Sequence, residues 1–146
     1  DDLFMFLKKK VTGLKPNTTY KVSYEIDLGT NYWNNSVGIG GSPAESVYLK
    51  AGGATEEPVK KLVDDYYEVT IKKGQQATGG PEMPVIGNVS NGVDEQVYKL
   101  VKRSTENPVA VKTNANGELW LCVGTDSGFE GLTVLYYDRI KATIKE

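Results

Sequence analysis

From Tyr20 to Leu28 the sequence alternates strictly, with Tyr20, Val22, Tyr24, Ile26 and Leu28 apolar and Lys21, Ser23, Glu25 and Asp27 polar. A period of two marks a strand, because successive side chains leave opposite faces, and one wet face points to an antiparallel sheet. No segment sustains apolar residues at helical spacing, whereas alternation recurs throughout the chain. Further strands are predicted over Leu3–Val11, Ser46–Lys50, Val59–Val63, Tyr66–Lys72, Val85–Val89, Gln96–Arg103, Val109–Thr113, Leu119–Gly124 and Leu132–Ile144. Leu119–Val123 has no polar position and is expected in the middle of a sheet with both faces covered, which also assigns Trp120 to the core. Asn116-Gly117 is expected to close a tight hairpin between Val109–Thr113 and Leu119–Gly124. Sixteen glycines and six prolines break the chain into short strands with long loops, which favours two packed antiparallel sheets over a small barrel.

At 146 residues the chain is long enough to bury a core without metals or disulfides, and residues 1–146 are expected to form a single β-sandwich domain. Seventeen basic and nineteen acidic residues are mixed along the chain, net charge -2, so no broad basic surface for nucleic acid is expected. The apolar run Leu3–Leu7 is far too short to span a bilayer. The lone Cys122 allows no internal disulfide. With no histidine, Ser-His-Asp and Cys-His arrangements are excluded, as is any histidine-based zinc site. The carboxylate pairs Glu56/Glu57, Asp64/Asp65, Asp94/Glu95 and Asp126/Glu130 stand in no glycosidase pattern, so no enzyme activity is expected.

The segment Val11-Thr12-Gly13-Leu14-Lys15-Pro16-Asn17-Thr18-Thr19-Tyr20-Lys21-Val22-Ser23 resembles the L-x-P-x-T-x-Y corner of fibronectin type III domains, in which the tyrosine hydroxyl ties back to upstream backbone. That corner comes late in its own family and early here. The same phrase near the start, together with Tyr136-Tyr137-Asp138-Arg139-Ile140 near the end, is similar to the galactose-binding-like jelly rolls, which include many carbohydrate-binding modules. The resemblance implies an antiparallel β-sandwich of jelly-roll type in an exported or cell-surface protein, acting as a non-catalytic module for carbohydrate or another extracellular ligand. The rival expectation is a structural or protein-interaction domain with no small ligand.

Candidate contacts follow. In Thr30–Ser36, Tyr32, Trp33 and Asn34 combine aromatic faces with amides, suited to stacking and hydrogen bonding a pyranose, although Trp33 is equally suited to folding over a sheet edge as a lid. Asp126 and Glu130, in the Gly-flexed stretch 124–131, are candidate ligand contacts lining a cleft with the loop Gly38–Pro43. Asp138 stands in the row Leu132, Val134, Tyr136, Asp138, Ile140, Ala142, Ile144, where an unpaired buried charge would be costly. An aspartate there in the resembling modules often ligates structural calcium. Calcium needs about six to eight oxygens, with Asp1 and Asp2 as candidate fellow ligands; the other reading is a hydrogen-bonded or ion-paired Asp138, or one turned outward by a bulge at Tyr136-Tyr137. No other cofactor is expected.

Overall fold

A computed structural model describes residues 3–146, and every regular element among them is a strand. In chain order these are β1 (Phe4–Val11), β2 (Thr19–Thr30), β3 (Val47–Ala54), β4 (Lys60–Val63), β5 (Tyr66–Val69), β6 (Gly74–Gln75), β7 (Thr78–Gly79), β8 (Val85–Asn88), β9 (Lys99–Ser104), β10 (Val109–Lys112), β11 (Leu119–Ser127) and β12 (Tyr136–Lys145). One four-stranded antiparallel sheet has the order β1-β11-β3-β8. In the other, β2 is central: β12 runs along one edge, and β10 and β9 share the opposite edge. The two sheets pack as an antiparallel β-sandwich, and no helix among the described residues is long and apolar enough to cross a membrane.

The alternation of β2 does what it predicts. Its even-numbered residues are buried: Tyr20, Val22, Tyr24 and Ile26 meet Leu49, Ala51, Leu119 and Val123 of the opposite sheet, together with Val109 and Val111, in the main core, and Leu28 packs with Val47 and Val89. Each such side chain contributes about 1.5–3 kcal/mol by leaving water. At the entrance to β2 the hydroxyl of Tyr20 accepts a 3.0 Å hydrogen bond from the backbone N–H of Lys15, so the predicted tyrosine corner is formed.

β11 lies centrally, as its unbroken apolar run requires, and its second face is covered by residues 55–84. There Ala54, Ile71, Met83 and Cys122 form a second core against Phe4, Phe6 and Val69. Burial pushes the Cys122 thiol up to about 12, which leaves it unreactive at neutral pH. Trp120 corrects its expectation: it is only half-buried on this outer face, where Lys8 and Lys10 place their ammonium groups 5.8 and 6.0 Å from its ring.

Two further expectations fail for identifiable reasons. The turn at Asn116-Gly117 does not close a hairpin, because β10 belongs to one sheet and β11 to the other. Thr113 fixes the crossing: its hydroxyl donates to Lys15 O at 2.6 Å and accepts from Thr18 N at 2.9 Å, and Leu14 N donates to Gly117 O at 3.1 Å. Gly117, at φ 71°, leaves no room for a side chain above Leu14. In β12 the register slips between Tyr137 and Arg139. This bulge reverses the side-chain parity, so Leu135 and Tyr137 turn toward the core while Tyr136 and Asp138 are exposed. Beyond it, Ile140, Ala142 and Ile144 face inward opposite Ile26, Tyr24 and Val22.

Tyr20→Phe removes only the hydroxyl that accepts the Lys15 amide. It is expected to cost about 1–3 kcal/mol in urea unfolding with an unchanged m-value, since a part-buried donor loses its partner; an unaltered midpoint would show that the corner bond contributes nothing.

Candidate functional site

The candidate contacts do not form one site. Tyr32 is half-buried; its hydroxyl accepts from Val134 N at 2.7 Å and lies 3.3 Å from Leu132 O, so it holds the segment entering β12. Trp33 is half-buried in the following turn. The side-chain oxygen of Asn34 accepts from the Ser90 hydroxyl, and its backbone N donates to Val93 O at 2.8 Å, which docks the loop on residues 90–93. Glu130 is exposed, with its backbone N donating to Ile39 O at 2.8 Å. The two Gly-rich loops therefore meet as expected, but the ring of Phe129 sits against Gly38 and fills the space where a cleft was predicted.

Asp126 does not stand in a loop: it lies within β11, fully buried on the outer face of its sheet. Its Oδ2 accepts from Lys50 Nζ at 2.9 Å, Lys73 Nζ at 2.8 Å and Gln76 N at 2.9 Å, while Oδ1 has no hydrogen-bond partner among the described residues. Lys50, equally buried, also donates to Lys73 O at 2.8 Å and Thr78 O at 3.1 Å. Burial alone would raise the pKa of Asp126; the hydrogen bonds and charges of Lys73 and Lys50 outweigh it and hold the carboxyl below the usual carboxylate range. Its bonds to Lys73 and Gln76, with those of Lys50 to Lys73 O and Thr78 O, seat β6 and β7.

Asp138 follows the expectation of a carboxylate turned outward by a bulge. It is the exposed extra residue of the bulge, not a member of a buried row. No group of three or more His, Cys, Asp or Glu among the described residues could hold a metal, and Asp1 and Asp2 lie outside those residues.

The bulge nevertheless builds a feature of its own. On the outer face of the second sheet the odd-numbered residues of β2 point to solvent, and register places Leu100, Gly29 and Tyr136 in one row across β9, β2 and β12. Tyr98, just before β9, packs edge-on against Tyr136 with ring centroids 5.8 Å apart and planes at 67°. The two rings are 59% and 57% exposed, with Leu100 at 60% beside them. Gly29 keeps the centre of this row low: a Cβ there would meet Tyr136 Cβ at 3.3 Å. Desolvation first, then the neighbouring phenol of Tyr136 and its hydrogen bond, raise the pKa of Tyr98, so its ring is neutral near pH 7.

Two residues along β2, about 7 Å away, register aligns Lys102, Asp27 and Arg139. Arg139 Nε donates to Asp27 Oδ2 at 3.1 Å, and Lys102 Nζ lies 3.9 Å from Oδ1. An aromatic platform thus adjoins a row of hydrogen-bonding side chains, an arrangement able to stack an apolar ring face and bind the polar groups around its rim. Sequence reading missed Tyr98, Tyr136 and Asp27 because each looks like an ordinary strand residue; only the register brings them together.

The buried cluster sets a pH dependence. A depressed folded pKa contributes stability that is present above the unfolded aspartate value, about 3.9, and is lost as pH falls through the folded value. Asp126→Ala is expected to cost about 3–5 kcal/mol at neutral pH by stranding two ammonium groups, and to flatten the stability profile below about pH 4, read from urea unfolding at several pH values. A steep acid limb retained in the variant would assign that limb to other carboxylates. Comparison with family models, with curated proteins and with solved structures finds no match to this chain.

Proposed function

We propose that the domain is a non-catalytic carbohydrate-recognition module of a galactose-binding-like jelly-roll type, working outside the cell or on its surface, with its ligand seated on the Tyr98–Tyr136 platform. The observation that carries the reading is the pairing of these two exposed rings on a rigid sheet. Sugar rings present apolar C–H faces that stack on phenols, and their hydroxyls are bound by charged and amide side chains. Gly29 supports this geometry by leaving the platform open between Leu100 and Tyr136, and Asp27, Arg139 and Lys102 stand one row away.

Tyr32 takes a positioning part here, through its bonds to the backbone that leads into Tyr136. The ion pairing of Asp27 with Arg139 supports binding by holding an acceptor and donors in fixed positions beside the platform. The sandwich, open to loop variation at its ends and flat on its outer face, is compatible with the jelly-roll architecture that the chain's two end motifs resemble.

Glycan-array and affinity-gel binding test the proposal. Tyr98→Ala and Tyr136→Ala are each expected to weaken glycan binding by about tenfold or more, with unfolding midpoints close to that of the wild type because both rings are exposed. Trp33→Ala is expected to leave binding within about threefold, since the indole is half-buried and is not one of the two paired rings. Absence of binding to any glycan by the folded wild type would favour a structural or protein-interaction domain.

A further inference from the structure

The two long sides of the sandwich are finished differently. On one side Arg103, on the inner face of β9, crosses to the other sheet and donates from Nε to Asn88 O and from Nη2 to Ser90 O, each at 3.0 Å, beside β8. On the opposite side Lys15, beyond β1, pairs with Glu146, beyond β12, at 2.6 Å, a tie at one end of the two strands. There the edge strands β1 and β12 each pair with only one neighbour, β11 and β2, and leave a cleft of about 610 Å³ between them.

The walls of the cleft are apolar. Leu7 and Val11 line it from β1, Leu121 and Val123 from β11, and Ile140 and Ile144 from β12. Leu7 is 53% exposed and Ile140 37%, so a stripe of core-facing side chains stops short of closure. An unpaired edge beside such a stripe offers both halves of strand recognition, backbone hydrogen bonds and alternating side-chain pockets.

One residue on the inward row of β1 breaks the apolar pattern. Lys9 pairs in register with Leu121, which puts its side chain on the cleft side between Leu7 and Val11. Lys8 is paired with Glu57 and Lys10 with Glu118 on the outer face, but Lys9 has no ion pair among the described residues. The facing residues of β12, Ile140, Ala142 and Ile144, supply no carboxylate. A lysine so placed opposes uncontrolled edge pairing and favours a partner that brings a negative charge to that position.

We propose that this cleft accepts an extended peptide as an added strand on the free edge of β1, with apolar side chains filling the space against β12 and a carboxylate meeting Lys9. Only one peptide face enters, so the recognised pattern has apolar residues at alternate positions with one Asp or Glu among them. This surface lies on the cleft side of the molecule and is independent of the tyrosine platform.

The test is an amide NMR titration of the protein with two blocked peptides, Val-Thr-Glu-Thr-Val-Thr-Val and the same peptide with Lys in place of Glu. Shifts concentrated in β1, β12 and the cleft-lining residues of β11 are expected, with the Glu peptide binding at least about tenfold more tightly. Lys9→Glu, at an exposed edge, should reverse the preference, and Leu7→Asp should abolish binding of the Glu peptide. The proposal is overturned by equal binding of both peptides, by no shift at millimolar peptide, or by shifts outside the cleft. It is also overturned if β1 shifts follow protein concentration alone, which would make a second copy the occupant.

Discussion

The ion pair of Lys50 with Asp126 is the constraint around which the rest is arranged. Placing two charges out of water costs several kcal/mol per ion, so the protein must surround both with partners or lose the fold. Lys50 on β3 and Asp126 on β11 lie on the outer face of a sheet that would otherwise be wet. The chain covers them with residues 55–84, and the cover is held by the groups the charges need: Lys73 O and Thr78 O for the ammonium, Lys73 Nζ and Gln76 N for the carboxylate. Sliding β6 and β7 by a residue would remove those carbonyls, so the pair selects one seating among several that the neighbouring apolar contacts alone would permit.

That cover also explains why sheet faces are used so unequally. The outer face of one sheet is spent on a second core beneath Phe4 and Phe6, while the outer face of the other remains in solvent. The row of Leu100, Gly29 and Tyr136 lies on the latter. There the rigid centre is β2, bonded along both edges, and the platform's two tyrosines sit on opposite sides of it, one on β12 and one at the start of β9. A surface built on paired strands holds its geometry better than a loop tip, because the backbone that carries Tyr136 is fixed by ladder hydrogen bonds to β2.

Much of the fold was legible from the residues. Alternation located β1, β2, β3 and the other long strands, and the phrase ending at Tyr20 gave the corner with its hydroxyl bond. Periodicity is local, however, and does not say which sheet a strand joins. Val109–Thr113 and Leu119–Gly124 read as a hairpin until Thr113's bonds to the first loop show a crossing between sheets. Strands of two residues, Gly74–Gln75 and Thr78–Gly79, carry no period at all. The candidate site was less legible. Asp126 looked like loop chemistry because its ion-pair partner, Lys50, lies 76 residues away. Trp120 looked like core because its neighbours are, and Tyr98 and Tyr136 gained meaning only through a register that Gly29 and the bulge define.

The extra residue in β12 has a consequence for how such a surface is inherited. Because Tyr137 pairs with Leu28 and Arg139 with Asp27, Asp138 stands outside the ladder, and drawing it into the ladder would transpose everything before it: Tyr137 and Leu135 would go to solvent, and Tyr136 and Val134 would go to the core. Both sets are hydrophobic enough to fill either place, so the sandwich has two nearly interchangeable ways to thread this segment. Losing the bulge while keeping its residue would exchange one aromatic surface for another without asking the remaining strands to change, which makes the bulge a point where the exposed face and core packing are rewritten together.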